Sequence, residues 1–416
     1  MSMNIAIEEA FGFYKIDVEV AGSKQGPSTT QYELRRKRGT AINKIRSKIN
    51  DISVDLGVEG VRLITNAEGI FLEIPKDERE TVPFNKLLKS PDFASAKGSL
   101  PFVLGSDTQG QTVVSDLSDM PHTLIGGTTG SGKSVCINVM LCSLIANVSP
   151  DKLKLLLIDP KAVELTPYNG IPHMVCNAIT KPDDALLALE WAVDEMEKRF
   201  ALMEAAKVRK LSDYNKIVSD DMYIPSLVIV IDEMADLLMT SKAEAEAAIC
   251  RIAQKARAAG IYLICCTQRP SADVITTKIR TNLPSRIGFA VSTAADSTIV
   301  MGATKMGADL LLGKGDGLFR PVGQNTPIRF QGAFISDSDV SDMIENIKGA
   351  YTSSSTTLTF NIEQYRADKE ALRLYEIEIA EAQANEKKEL ASIKKIRAKI
   401  EFAYRMKDKH GVYMFA

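Results

Sequence analysis

The stretch IGGTTGSGKS at positions 125–134 limits the architecture of this chain more than any other feature. It lies between two apolar runs, HTLI before it and VCINVMLCSLIANV after it. Gly127 is followed after four residues by Gly132, Lys133 and Ser134, which is the spacing of a phosphate-binding loop. Such a loop needs backbone at positive φ and a close approach to an anion, and only glycine permits both cheaply. Its N–H groups converge on phosphate oxygens, and the following helix adds the positive end of its dipole. The pattern therefore expects a strand, this loop, then a helix. It expects a nucleoside triphosphate held by Gly127, Thr128, Thr129, Gly130, Ser131, Gly132, Lys133, Ser134 and Val135. Lys133 would reach the β- and γ-phosphates, and the Ser134 hydroxyl would bind Mg²⁺. The competing reading is a glycine-rich turn that merely joins a strand to a helix. The flanking runs are of the kind the motif requires and favour the nucleotide.

A chain of 416 residues is too long for one ordinary core and expects two or three domains. Residues 1–97 mix short alternating segments with a helical stretch over 42–56 and read as a small α+β unit. Arg35 to Lys48 carries seven basic residues and no acidic one, a run whose default reading is a solvated face. From 98 to 350 the apolar runs LKLLLID (153–159), SLVIVID (226–232), IYLICCTQ (261–268) and RIGFAVS (286–292) alternate with long amphipathic stretches. That alternation expects an α/β core: buried parallel strands with helices on both faces. A Ser/Thr-rich link over 351–359 leads to a helical tail over 360–416. In the tail Leu372, Tyr375, Ile379, Ala382, Ile393, Ile396, Ile400 and Ala403 recur at spacings of three and four, interrupted by Glu386 and Glu389. The pattern is that of a long helix or a helical hairpin with coiled-coil character, acidic in its first half and basic in its second. It could pair antiparallel with itself or a neighbour, and its partner is unknown. A plain solvated helix is the alternative.

Lys plus Arg is 51 and Asp plus Glu is 53, so 51 − 53 leaves a net charge of −2. Any nucleic-acid contact must then come from local basic patches. The six cysteines sit in apolar stretches without a Cys-x-x-Cys pair, which favours buried free thiols in a reducing compartment. No apolar run approaches a membrane span, and the expected location is the cytoplasm.

Nucleotide hydrolysis needs a second group near the metal. LVIVIDE supplies one, a strand that delivers Asp232 and Glu233 at its C-terminal end. Asp232 would hold the Mg²⁺ shell, and Glu233 would orient or deprotonate the attacking water. Two surface acids at a strand end are the plain alternative. The next strand ends in Thr267-Gln268-Arg269, placing Gln268 where it can sense the γ-phosphate. Asp159 either lines the site or caps the next helix.

PHTLIGGTTGSGKS, LIDPKAVELTPYNGIPHM, VIDEMADLL, QKARAAGIYLICCTQRPSADVIT and LPSRIGF, in this order and spacing, resemble the FtsK/SpoIIIE DNA translocases. The resemblance implies a RecA-like P-loop motor core preceded by a small domain. It implies a homo-oligomeric ring, usually six subunits, around double-stranded DNA, with ATP bound between neighbours. Lys133, Ser134, Asp232, Glu233 and Gln268 keep the roles above, and Arg286 looks like the arginine offered to the neighbour's phosphates. Arg257 is a weaker candidate for that role and a surface residue by default. SADVITTKIRTNLP resembles the pore-facing loop, so Lys278 and Arg280 would meet DNA phosphates, in contacts that carry little sequence information. The helical tail stands where the division translocases carry a winged-helix module, and no membrane segment precedes the small domain. The same core therefore also fits a motor of a phage, plasmid or integrative element, or a piece of a longer translocase, although the unrelated tail argues against simple truncation. Two further readings are a protein-export ATPase of the type VII secretion kind and a nucleotide-gated DNA-binding scaffold with low turnover.

Overall fold

The computed structural model describes residues 2–65, 68–351 and 358–410, so most of the Ser/Thr-rich link lies outside the described residues. The chain divides into two units, Met1–Phe360 and the tail from Asn361 on.

At the start of the first unit, the strands Val18–Gln25, Thr29–Arg36, Ile70–Pro75 and Arg62–Thr65 pair antiparallel in that spatial order. Alternating sequence buries one face of this sheet. The helix Met3–Phe13 supplies Ile7 and Phe11 to the core formed with Leu34, Ile45, Ile52 and Leu72. The helix expected over 42–56 is broken into Ile42–Ser47 and Ile49–Asp55. Lys48 leaves helical geometry at the break, where its amine pairs with Asp51 at 2.9 Å and lies 4.9 Å from the Tyr14 ring centre. Ile45, Ile49 and Ile52 are nonetheless all buried across the break.

The second sheet carries the spatial order Thr112–Asp116, Pro101–Asp107, Ile328–Phe334, Asp316–Arg320, Ser285–Phe289, His122–Gly126, Ile261–Thr267, Ser226–Ile231 and Leu153–Ile158, with Val82–Pro83 paired to Ile328–Phe334. The last five strands of this order are mutually parallel. Leu153–Ile158 and Ile261–Thr267 are buried at every residue, as apolar runs covered on both faces must be. Burying each of these Leu and Ile side chains is worth roughly 1.5–3 kcal/mol. Beyond Ser285–Phe289 the sheet turns antiparallel, an extension the alternation of runs and helices did not announce.

The helix Lys133–Asn147 is buried on nearly all sides because it packs between strand Pro101–Asp107 and helix Asp337–Ala350. On the other side of the sheet, helix Pro182–Ala205 packs on Met234–Thr240 and Lys242–Lys255. It begins on Pro182 with Asp183 and Asp184 in its first turn, the composition that suits a helix start.

A buried ion cluster ties the small sheet to the large one. Arg329 forks onto Asp316 at 2.9 and 2.8 Å and reaches Glu73 of the small sheet at 3.2 Å. Arg62 of the small sheet donates to the Met306 carbonyl at 3.0 Å.

The tail is one continuous helix, Ile362–His410, rather than a hairpin. Leu372, Tyr375, Ile379, Ile393 and Ile396 are exposed on it. The side chains of Ala382, Glu386, Glu389, Ile400 and Ala403 lie outside those described.

Candidate functional site

The glycine loop leaves the C-terminal end of strand His122–Gly126, inside the parallel half of the sheet. Gly130 and Gly132 take φ of +74° and +113°, and Gly132 caps the helix that starts at Lys133. A Cβ on Gly132 would lie 2.7 Å from the backbone of Gly315; one on Gly127 would lie 2.6 Å from Ser131 Oγ and 2.7 Å from Phe289 Cβ. The loop is also tied to its surroundings. Thr128 N donates to Ala290 O at 2.9 Å, and Gly315 N to Ser131 O at 2.8 Å. These bonds hold the amides of the loop in a concave rim at a helix N-terminus, where an anion is favoured.

The rim opens onto a cavity of about 570 Å³. Thr128, Thr129, Gly130, Gly132, Lys133, Ser134, Val135 and Gln268 line one part of it, and Arg79, Glu164, Lys314, Val82 and Phe334 another. Lys133 Nζ donates to Asp232 Oδ1 at 2.6 Å and to the Asp232 carbonyl at 3.0 Å, with both side chains almost wholly buried. Burial opposes the charge on Lys133, but Cys266, Asp232 and Glu233 beside it more than offset this and hold the ammonium above the usual lysine value. Burial also drives the Cys266 thiol far up, so it is uncharged at neutral pH and the carboxylates carry the effect.

Glu233 follows Asp232 and caps the helix Met234–Thr240, accepting from Ala235 N at 3.2 Å. The same Oε1 accepts from Thr267 Oγ1 at 2.7 Å; Oε2 accepts from Gln268 N at 2.9 Å and lies 3.8 Å from Lys161 Nζ. Gln268 turns its side chain to the glycine loop, where Thr129 Oγ1 donates to its Oε1 at 2.8 Å. One connected set of bonds thus runs from the loop through Gln268 to Glu233. Asp159 is buried, and its Oδ2 accepts from Glu164 N and Leu165 N, which closes the turn after its strand.

Two buried oxygens at this site, Asp232 Oδ2 and Ser131 Oγ, have no hydrogen-bond partner in the protein. Buried polar atoms are rarely left so, and here one lies in the glycine loop and the other in the Lys133–Asp232 pair. A triphosphate with its divalent cation fits this arrangement. Mg²⁺ asks for only one or two protein ligands beside phosphate oxygens, and Asp232 with Ser134 can supply them.

Other expected residues lie elsewhere. Lys278, Arg280 and Arg286 do not line the cavity. Lys278 and Arg280 sit on the short helix Thr277–Asn282, Lys278 exposed and Arg280 half-buried. Arg286 differs from the outward arginine expected of it. It is 2% exposed within strand Ser285–Phe289, and its guanidinium donates to the carbonyls of Val300 and Arg280. Burial, with Arg320 and Arg280 nearby, lowers its pKa to about 10. Within one chain the guanidinium is thus bonded inward rather than presented at the surface. Arg257 is exposed and donates to Ser118 O at 3.2 Å. In the basic run, Arg36, Lys44 and Arg46 are spent on local bonds to Thr40, Lys15 and Thr65.

Two cations at the cavity were missed from the sequence. Arg79 donates to Gly313 O at 2.9 Å, and Lys314, at φ +50°, stands between Gly313 and Gly315. The run GKGDG at 313–317 was the available signal for Lys314; Arg79 had none, because it arrives from the segment after the small sheet.

Comparison with known proteins now decides the relationship. The FtsK/SpoIIIE family description matches residues 84–272, and that of the FtsK alpha domain matches residues 1–76. The chain belongs to the FtsK/SpoIIIE family. It is 44% identical over 352 residues to the DNA translocase FtsK of Clostridium acetobutylicum, covering 83% of this chain and 46% of that protein. It is 40% identical over 371 residues to the DNA translocase FtsK of Mycobacterium tuberculosis, covering 85% of this chain and 44% of the relative. The chain thus spans under half the length of these relatives. Among solved structures, it resembles the pCW3 conjugation coupling protein TcpA with ATPγS at a TM-score of 0.58 and 23% identity, covering 83% of this chain and 99% of that one. It also resembles the cytoplasmic domain of the type VII secretion ATPase EccC of Thermomonospora curvata at a TM-score of 0.54 and 23% identity, covering 64% of this chain and 32% of that one. These likenesses are of fold, that of P-loop ATPases. The alpha-domain match falls on the small antiparallel sheet, and the FtsK/SpoIIIE match contains the glycine loop, Asp232, Glu233 and Gln268. Among the described residues no helix is long and apolar enough to cross a membrane, and none of His, Cys, Asp or Glu gather in a group of three or more suited to a metal.

Proposed function

We propose that the chain binds ATP in the glycine cradle and hydrolyses it to move double-stranded DNA through a ring of its own copies. What carries this reading is the connected set Thr129, Gln268 and Glu233 beside the Lys133–Asp232 pair, with Lys133 at the start of its helix. Lys133 exchanges its bond to Asp232 for the β- and γ-phosphates, which leaves Asp232 and Ser134 to hold Mg²⁺. When bound, that ion neutralises charge gathering on the transferred phosphoryl group. Glu233 takes the proton of the attacking water or orients it, and the backbone of Gln268 keeps its carboxylate aimed. Gln268, bonded to the loop, registers whether a γ-phosphate is present. A neighbouring copy completes each pocket. Lys278 and Arg280 contact DNA phosphates, repeated around the ring, so a chain with a net charge of −2 can still line a basic channel.

The test is ATP turnover with and without a duplex. Duplex should raise turnover severalfold, with a steep fall as salt increases. Lys133→Ala should abolish turnover. Glu233→Gln should lower it by about 10²–10⁴-fold while nucleotide binding persists. A turnover indifferent to duplex would redirect the reading to protein export. Indifference of DNA binding to both substitutions would favour a scaffold.

A further inference from the structure

The helix Ile362–His410 is a unit of its own, and it carries an apolar seam. Leu372, Tyr375, Ile379, Ile393 and Ile396 are 53%, 60%, 40%, 49% and 57% exposed. The steps 372 to 375 to 379 and 393 to 396 are those of a heptad seam, and 393 − 379 = 14 is two whole heptads, so both stretches share one phase. Leu374 and Ile377 are exposed as well but fall outside that phase. Since the helix is continuous, it cannot fold back to cover the seam itself.

We propose that this seam is covered by the same helix of a second copy, running antiparallel, with Ile379 of each opposite Ile396 of the other. Charge beside the seam argues for the direction. Glu376 and Arg397 each follow a seam position, while Glu378 and Lys399 each precede one. All four are exposed. Facing positions in the register sum to 379 + 396 = 775. Glu376 with Arg397 of the other copy sums to 773, and Glu378 with Lys399 sums to 777. Each pair is therefore within two residues of alignment, about 3 Å along the helix. Equivalent flanks face each other in an antiparallel pair, and two-fold symmetry makes every such pair twice. In a parallel, in-register pair none of these four meets an opposite charge. The interruption at Glu386 and Glu389 falls at the centre of the register, where like positions meet and the seam is weakest.

The full chain is tested without nucleotide or DNA, by sedimentation velocity at low salt and at half-molar salt. Wild type should associate, and more weakly as salt rises. Glu376→Lys with Glu378→Lys should weaken association at least tenfold, and so should Arg397→Glu with Lys399→Glu. An equimolar mixture of the two double variants should recover it. Changes on exposed positions leave folding intact, which circular dichroism checks. Wild type that stays monomeric at tens of micromolar overturns the proposal, as does association that both double variants share with wild type. The measurement uses no turnover, so its outcome is separate from that of the motor reading.

Discussion

At Gly132 and Gly130 the chain separates two reasons for glycine. Both have positive φ, but a Cβ on Gly132 meets the Gly315 backbone at 2.7 Å, whereas one on Gly130 meets nothing within 4 Å. Gly130→Ala should cost only the left-handed conformation, about 1–2 kcal/mol, and keep nucleotide affinity near wild type. Gly132→Ala must in addition push the 313–316 loop away, and should lose nucleotide binding by more than tenfold. Thermal unfolding and a fluorescent-nucleotide titration on both variants would check this; equal effects would contradict the contact. The spacing of Gly127, Gly132, Lys133 and Ser134 was legible in the sequence because adjacent residues make the loop. The surroundings of Arg286 were not legible for the opposite reason. Only the packed sheet puts its guanidinium against the Val300 and Arg280 carbonyls.

Between elements, the Arg329 cluster deserves its own experiment, since it joins the small sheet to the loop that presses on the nucleotide site. Asp316 accepts from Leu312 N at 2.9 Å as well as from Arg329, and Gly315 bonds to Ser131 of the glycine loop. Arg329→Met would leave Asp316 and Glu73 as buried carboxylates without their cation, at a cost of roughly 3–5 kcal/mol. The expected result is a lower urea midpoint, faster proteolytic release of the small domain and weaker nucleotide binding together. Loss of stability with unchanged nucleotide affinity would confine the cluster to a structural part. None of this was readable along the chain, where Glu73 and Arg329 are 329 − 73 = 256 residues apart. The five parallel strands were readable, because each lies in a largely apolar run.

Across the whole molecule, buried histidines set a response to acid. Burial lowers His122 to about 4, helped by Arg257, and lowers His173 to about 4 despite its bond to the Val148 carbonyl. Both are neutral in the fold and titrate near 6.5 when unfolded. Their folded values are depressed, so this stability is fully present above pH 6.5 and is lost as pH falls toward 4. Each loses about 2 kcal/mol by pH 5. Urea midpoints should fall between pH 7 and pH 5, and His173→Gln should reduce the fall. A flat profile over that range would contradict it.

What the sequence alone determined was local: a glycine loop between strand and helix, an acidic pair at a strand end, apolar runs for parallel strands, and a heptad seam in the tail. These follow from steric and hydrophobic rules that act over a few neighbouring residues. Tertiary structure decided which distant groups share a space. It brought Arg79 and Lys314 to the cavity, turned Arg286 inward, joined Glu73 to Arg329, and extended the sheet with antiparallel strands. Most of these outcomes depend on burial and charge pairing between segments far apart along the chain, and of them only the GKGDG run left a signal in the sequence.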